Sequence, residues 1–304
     1  MKIRQYIWGI CYGLMLTGFT VYIILDSFVI KRIYSDISPM KEQSKSDDIE
    51  PEPQNISDSS LVVTDCLYDD ENISIVINKY REYDTDIYVA DIQIASSEYL
   101  KTAFASDAYG KNVTEKTSVT AGNNGAILAI NGDYYGVREK GYVLRNGIIY
   151  RSSASANQKD LVIYSDGSFG IITEGEVSTD ELLENGAMQV LSFGPALIKD
   201  SKISVTKNEE VGKAKSSNPR TAIGIIDELH YVFVVSDGRT DKSQGLSLYE
   251  LSQFMQMLGV TTAYNLDGGG SSTMYFNGNI INNPTTNGKR IEERSVSDIV
   301  YIGY

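Results

Sequence analysis

Twenty residues from Tyr6 to Leu25, YIWGICYGLMLTGFTVYIIL, carry no charge. As a helix this run is roughly 30 Å long, about the thickness of a bilayer's hydrocarbon core. Asp26 interrupts it, Ser27 to Ile30 continue it, and Lys31-Arg32 close it; Lys2 and Arg4 precede it. The run is longer than a signal-peptide core, and no A-x-A-like cleavage site follows. We therefore expect residues 1–34 to be an uncleaved N-terminal transmembrane anchor. Within it, residues 6–30 should form one helix that makes no contact with the rest of the chain. The short Lys2/Arg4 tail is the easier side to keep in the cytoplasm, which places residues 31–304 outside. Residues 35–60 are rich in Ser, Asp, Glu and Pro without an apolar period, so they read as a flexible polar linker. Residues 61–304 remain for one globular domain.

Composition narrows what that domain does. Hydrophobic residues make up 42% of the 304 and charged ones 22%, which excludes wholesale disorder. A net charge of −13 opposes general nucleic-acid binding, although a local basic site for one phosphate is compatible with it. Two cysteines, Cys11 and Cys66, exclude a disulfide scaffold. The lone histidine, His230, excludes His-rich metal sites and reads as a core residue at a strand start. With 26 Gly and 21 Tyr against six Pro, tight turns and β-rich packing are expected.

The local patterns agree. Residues 73–80 and 86–95 are Ile/Val/Tyr-rich strands around a hairpin, and residues 125–136 are an apolar strand ending in a turn. Asn146-Gly147 and Asp166-Gly167 mark two more hairpins. Near the C-terminus a buried strand from His230 to Ser236 precedes Ser247-Leu248-Tyr249-Glu250, a capping box. Leu248, Leu251, Phe254, Met255 and Leu258 then recur at helical spacing, Gly259 ends the helix, and Thr261 to Leu266 form another strand. This order predicts a parallel βαβ unit of adjacent strands. Asp237 and Asp267 would then emerge at one C-terminal edge, where open sheets bind ligands. The expected class is α+β: mixed sheets with few helices, one parallel βαβ unit and the N-terminal transmembrane helix.

Chemistry-bearing residues cluster in the turns. Asp267 leads Gly268, Gly269 and Gly270, whose amides suit an anion nest, followed by the hydroxyls of Ser271, Ser272 and Thr273. No lysine follows the glycines, so this is not a Walker loop. Arg220-Thr221 and Asp237-Gly238-Arg239 set guanidinium groups beside turns, suited to bidentate grip of a phosphate. Asn131-Gly132-Asp133-Tyr134-Tyr135 puts an amide, a carboxylate and two aromatics after an apolar strand, a set that suits sugar binding. No His/Cys ligand cluster is present, and no cofactor is expected.

Together these loops resemble one family, the phosphodiester glycosidase domain. The resemblance rests on Asn131–Tyr135, Phe193–Leu197, Asn218–Gly224, Val235–Arg239, Asn265–Thr273 and Arg294-Ser295-Val296-Ser297-Asp298, in family order. It implies hydrolysis of a sugar–phosphate diester at the anomeric carbon. The residues suit that reaction, with Asp267 and Asp237 as the carboxylate pair and Asp133 third. Arg220 and Arg239 would neutralise the leaving phosphate, and Asn131, Thr221, the 268–273 loop and Arg294 would bind substrate. A membrane-anchored, extracytoplasmic enzyme acting on cell-envelope glycan or exopolysaccharide is expected. The same loops also suit a noncatalytic binder of such a polymer.

Overall fold

The computed structural model describes residues 3–36, 61–209 and 217–304. Four α-helices are present among these residues: α1 (Ile3–Phe28), α2 (Thr117–Asn123), α3 (Thr179–Glu184) and α4 (Leu248–Met257). Strands outnumber helices in the remaining regular structure, and the α+β class holds.

Three large sheets and one two-stranded ladder, Arg32–Asp36 with Ala108–Lys111, are present among the described residues. The largest has nine strands in the order Lys202–Ile203, Ala196–Lys199, Thr262–Asn265, Arg220–Asp227, His230–Ser236, Thr85–Ile94, Ile73–Glu82, Leu67–Asp69 and Val62–Val63. A second orders Asn279–Ile280, Met274–Phe276, Leu128–Asn131, Asp298–Ile302 and Leu100–Phe104. The third carries the Asn146-Gly147 hairpin and the Lys159–Tyr164/Phe169–Thr173 hairpin. Asn146 and Gly147 both have positive φ, the backbone that a two-residue hairpin turn requires.

Alternation along the central strands explains the layering. In His230–Ser236, Tyr231, Phe233 and Val235 face a core shared with Ile130, Val300 and Leu161 of the other sheets. Val232 and Val234 face the opposite side, where Leu248, Leu251, Phe254 and Met255 of α4 cover them. The helix starts as its sequence predicts: Ser247 Oγ accepts from the Glu250 amide, and the Glu250 carboxylate accepts from the Ser247 amide.

The parallel βαβ unit does not form. Every strand ladder among the described residues is antiparallel, and Arg220–Asp227 lies between the two strands that α4 connects. The reason is local. Arg220–Asp227 and His230–Ser236 are joined by only Glu228 and Leu229, with Leu229 at φ 56°. This tight hairpin claims the neighbouring edge, so Thr262–Asn265 must add on its far side. Both strands flanking the intruder still run the same way.

The anchor region departs from expectation too. Helix α1 is continuous, and residues 6–25 of its apolar span Tyr6–Phe28 are all exposed along the helix. Its C-terminal end does touch the domain. Asn112 Nδ2 donates to the carbonyls of Asp26, Ser27 and Ile30, and Arg32–Asp36 pairs antiparallel with Ala108–Lys111. That strand takes up the first residues of the expected 35–60 linker; residues 37–60 lie outside the described residues.

Candidate active site

Two sheets bring their turns to one place. Asp267 and Asp237 follow the C-terminal ends of Thr262–Asn265 and His230–Ser236. Arg220 opens the antiparallel strand between them, in register with Ser236. From the second sheet, Asn131 Nδ2 donates to the Asp267 carbonyl at 2.6 Å, and the Asp267 amide donates to the Gly132 carbonyl at 3.2 Å. The Asn131 amide group thus ties the two sheets together. Its Oδ1 accepts from Thr221 Oγ1 at 2.8 Å and from the Thr273 amide at 3.2 Å.

Asp267 is the carboxylate that reaches open space. It lines a cleft of about 200 Å³ with Arg294, Tyr134, Asn112, Ser297 and Phe28. Ser271 Oγ donates to Asp267 Oδ2 at 2.6 Å, and Arg294 Nη2 donates to the same oxygen at 2.9 Å. Arg294 Nε also donates to Ser271 Oγ at 2.9 Å, which locks the three side chains together. Burial pushes the Asp267 carboxyl above its ordinary value, while the Arg294 guanidinium and the Ser271 hydroxyl pull it back. Burial and then the neighbouring Arg294 charge push Arg239 down, against the attraction of Asp267. Arg294 alone is hydrogen-bonded to Asp267; Arg239 is near enough to feel both charges but does not line the cleft.

The glycine loop acts by close approach rather than as an open nest. Its amides are largely engaged: Gly269 donates to the Pro219 carbonyl, Ser271 to Gly268 and Ser272 to Gly269. A Cβ at Gly268 would stand 2.9 Å from the Pro219 oxygen, and one at Gly270 would stand 2.3 Å from Thr286 Oγ1. At Gly269, which has φ +63°, it would meet Arg239 Nη2 at 2.7 Å. Ser272 and Thr273 are fully buried behind this turn.

The remaining predicted residues take supporting positions. Arg239 Nη1 donates to the Thr286 carbonyl, and its Nε and Nη2 both donate to Asn218 Oδ1. Arg220 is buried, with Nε donating to the Leu246 carbonyl, and does not line the cleft. Asp237 accepts from the Asn283 amide and side chain, each at 2.8 Å, and more distantly from Asn282 and Tyr88. Asn282 also donates to the Ser272 carbonyl, so Asp237 braces the glycine loop. Asp133 turns inward. Its Oδ2 accepts from Arg145 Nη2 and from the Ser192 amide, both at 2.8 Å. The expected Asp267/Asp237 pair therefore shares a sheet edge, but it does not share the cleft.

The phosphodiester glycosidase family profile matches residues 124–303, more than half of the chain. The chain belongs to the phosphodiester glycosidase family. It is 30% identical over 206 residues to a SPbeta prophage-derived uncharacterized protein of Bacillus subtilis, covering 66% of this chain and 31% of that protein. It is 29% identical over 188 residues to the mouse N-acetylglucosamine-1-phosphodiester alpha-N-acetylglucosaminidase, covering 56% and 35%. This chain thus spans about a third of the length of these curated relatives. The catalytic domain of the zebrafish N-acetylglucosamine-1-phosphodiester alpha-N-acetylglucosaminidase, auto-inhibited by its pro-peptide, superposes with a TM-score of 0.61 at 22% identity, over 76% of this chain and 83% of that one. A hypothetical protein from Synechocystis gives 0.55 at 15%, over 77% and 62%. These two likenesses establish the fold.

Every site residue expected from the sequence falls inside the phosphodiester glycosidase span. Sequence reasoning missed Arg145 and Asp298 as partners of Asp133. Arg145 Nη2 donates to both carboxylates at 2.8 Å, and all three side chains are buried. Asp298 was visible in the family's closing segment, but Arg145 lies in an ordinary hairpin strand with nothing to distinguish it. Asn282 and Asn283 follow a short strand and carry no motif. Phe28 and Asn112, which also line the cleft, precede the span that the family profile matches.

Proposed function

We propose that this chain is a membrane-anchored, extracytoplasmic glycosidase, its domain comprising residues 61–304. It hydrolyses a sugar-1-phosphodiester of the cell envelope, a glycan or exopolysaccharide, at the anomeric carbon. The observation that carries the reading is Asp267 at the cleft, hydrogen-bonded by Ser271 and Arg294, with Arg239 close by. Glycosyl transfer needs a carboxylate near the developing oxocarbenium carbon. A phosphate leaving group needs little protonation but benefits from fixed positive charge, which Arg294 supplies at the cleft and Arg239 reinforces from behind the glycine loop. Asp237 and Asp133 hold the loops that aim these groups. Family membership supports the reaction class, and the relatives named for N-acetylglucosamine phosphodiesters suggest the probe.

The test is kinetics on methyl N-acetylglucosamine-1-phosphate with the intact chain, beside calorimetric binding. Asp267→Asn should keep binding and lose turnover, and Arg294→Lys should lose on the order of 100-fold because an ammonium cannot span Asp267, Ser271 and a phosphate at once. Near-normal turnover in folded Asp267→Asn removes that residue from the mechanism. Binding without turnover in the wild type would instead favour a noncatalytic polymer binder.

A further inference from the structure

The cleft and the end of the anchor helix are joined. Asn112 Nδ2 holds the last turn of α1 through the Asp26, Ser27 and Ile30 carbonyls at 3.4, 3.3 and 3.1 Å. Only Val29, Ile30 and Lys31 separate α1 from the strand that pairs with Ala108–Lys111. Phe28, the last residue of the apolar span, lines the same cleft as Asp267 and Arg294 while remaining 76% exposed. Tyr134 lines the cleft too and is exposed, and Val29, Ile33 and Tyr34, just after α1, are exposed as well. Exposed apolar and aromatic residues at the end of a spanning helix suit a membrane interface.

Electrostatics points the same way. On the other side of the 134–138 loop, a hollow of about 280 Å³ is lined by Arg32, Lys111, Arg138 and Arg151; Arg32 pairs with Asp26 and Lys111 with Glu139, and Arg138 and Arg151 have no acidic partner among the ion pairs of the described residues. In a chain of net charge −13, such a cluster next to the anchor suits an anionic lipid surface. The short, docked connection also decides reach. It holds the cleft against the bilayer within about a helical turn or two of the span's end, whereas a long free spacer would project it outward.

We propose that the substrate is a glycosyl phosphodiester whose aglycone is a membrane lipid, entering the cleft sideways from the bilayer past Phe28. This rests on the glycosidase reading above and narrows its substrate to a lipid-linked one. In the reaction, a water oxygen bonds to the anomeric carbon as the bond from that carbon to the phosphate oxygen breaks. The bonding pair leaves with the phosphate. One water proton remains on the new sugar hydroxyl and the other passes to solvent. The products are a free sugar and a lipid phosphomonoester that stays in the membrane.

The experiment uses the full chain reconstituted in phosphatidylcholine/phosphatidylglycerol vesicles. Two probes are compared, N-acetylglucosamine-1-phosphate esterified to methanol or to a long-chain polyprenol. The polyprenyl diester should be hydrolysed about tenfold faster or more, since both partners are confined to one surface. A flexible insert of about eight Gly/Ser residues between Leu25 and Asp26, roughly 15 Å of coil, leaves Phe28 and the segment held by Asn112 in place; it should abolish that preference and leave methyl-diester turnover unchanged. Equal rates on the two probes, or a preference that survives the insert, overturns the lipid-linked proposal alone. No turnover of either probe overturns the glycosidase reading and this proposal with it.

Discussion

At the residue scale, the carboxylates of this protein divide by their partners. Asp267 faces the cleft with Arg294, whereas Asp133 and Asp298 share Arg145 inside the domain. Two acids on one guanidinium carry a net negative charge when both ionise. Burial first, and then the adjacent Asp133 charge, raise Asp298 to about 8 from 3.8, against the pull of Arg145. The folded protein therefore holds a proton there that the unfolded chain has already released. Its stabilising effect is fully present below pH 3.8 and is lost as pH rises through about 8. Asp160, buried beside Glu174, is raised as well and acts with the same sign. Thermal melting from pH 5 to 9 should show stability falling with pH, and Asp298→Asn should flatten part of that fall. A variant with the wild-type slope would show that Asp298 titrates normally. Gly132 belongs to the same cluster, because a Cβ there would stand 2.3 Å from Asp298 Oδ1.

At the element scale, α4 is the piece whose formation its own sequence specifies most fully. Ser247 and Glu250 satisfy each other's backbone amides, and the apolar face buries Leu248, Leu251, Phe254 and Met255 on the central sheet. Ser247→Ala removes an acceptor for the Glu250 amide and should cost about 1 kcal/mol of stability. Chemical denaturation measures it, and a loss under a few tenths would mean that solvent replaces the cap fully. Because α4 lies on the face away from the Leu161/Ile130 core, activity at the cleft should survive the change. Strand order was set elsewhere, by the two-residue turn at Glu228-Leu229.

At the scale of the whole molecule, one apolar helix precedes a domain with its own cores, and the two meet at the cleft rim. The span Tyr6–Phe28 contains a single charge, Asp26, near its end, where Arg32 pairs with it. The intact chain should therefore sediment with membranes, resist alkaline carbonate washing and dissolve only with detergent. A soluble protein that keeps its N-terminus would remove the anchor.

Much of this was legible in the sequence, for identifiable reasons. The apolar run, the Asn146-Gly147 hairpin, the α4 cap and the turn motifs around Asn131, Asp237 and Asp267 are determined by interactions within a few residues of one another. Their periodicity or chemistry appears directly in the chain. The sequence also placed Asp237 and Asp267 at one sheet edge, although through a parallel pair that does not form. Tertiary structure alone decided which strand lies between them, because two locally good pairings competed and the shorter connection won. It alone separated Asp267, open to the cleft, from Asp237 among asparagines and Asp133 on Arg145, since a carboxylate's partner depends on contacts between residues far apart in the chain. The seating of the helix end by Asn112 beside that carboxylate is likewise a long-range hydrogen bond, formed by backbone carbonyls that leave no mark on the sequence.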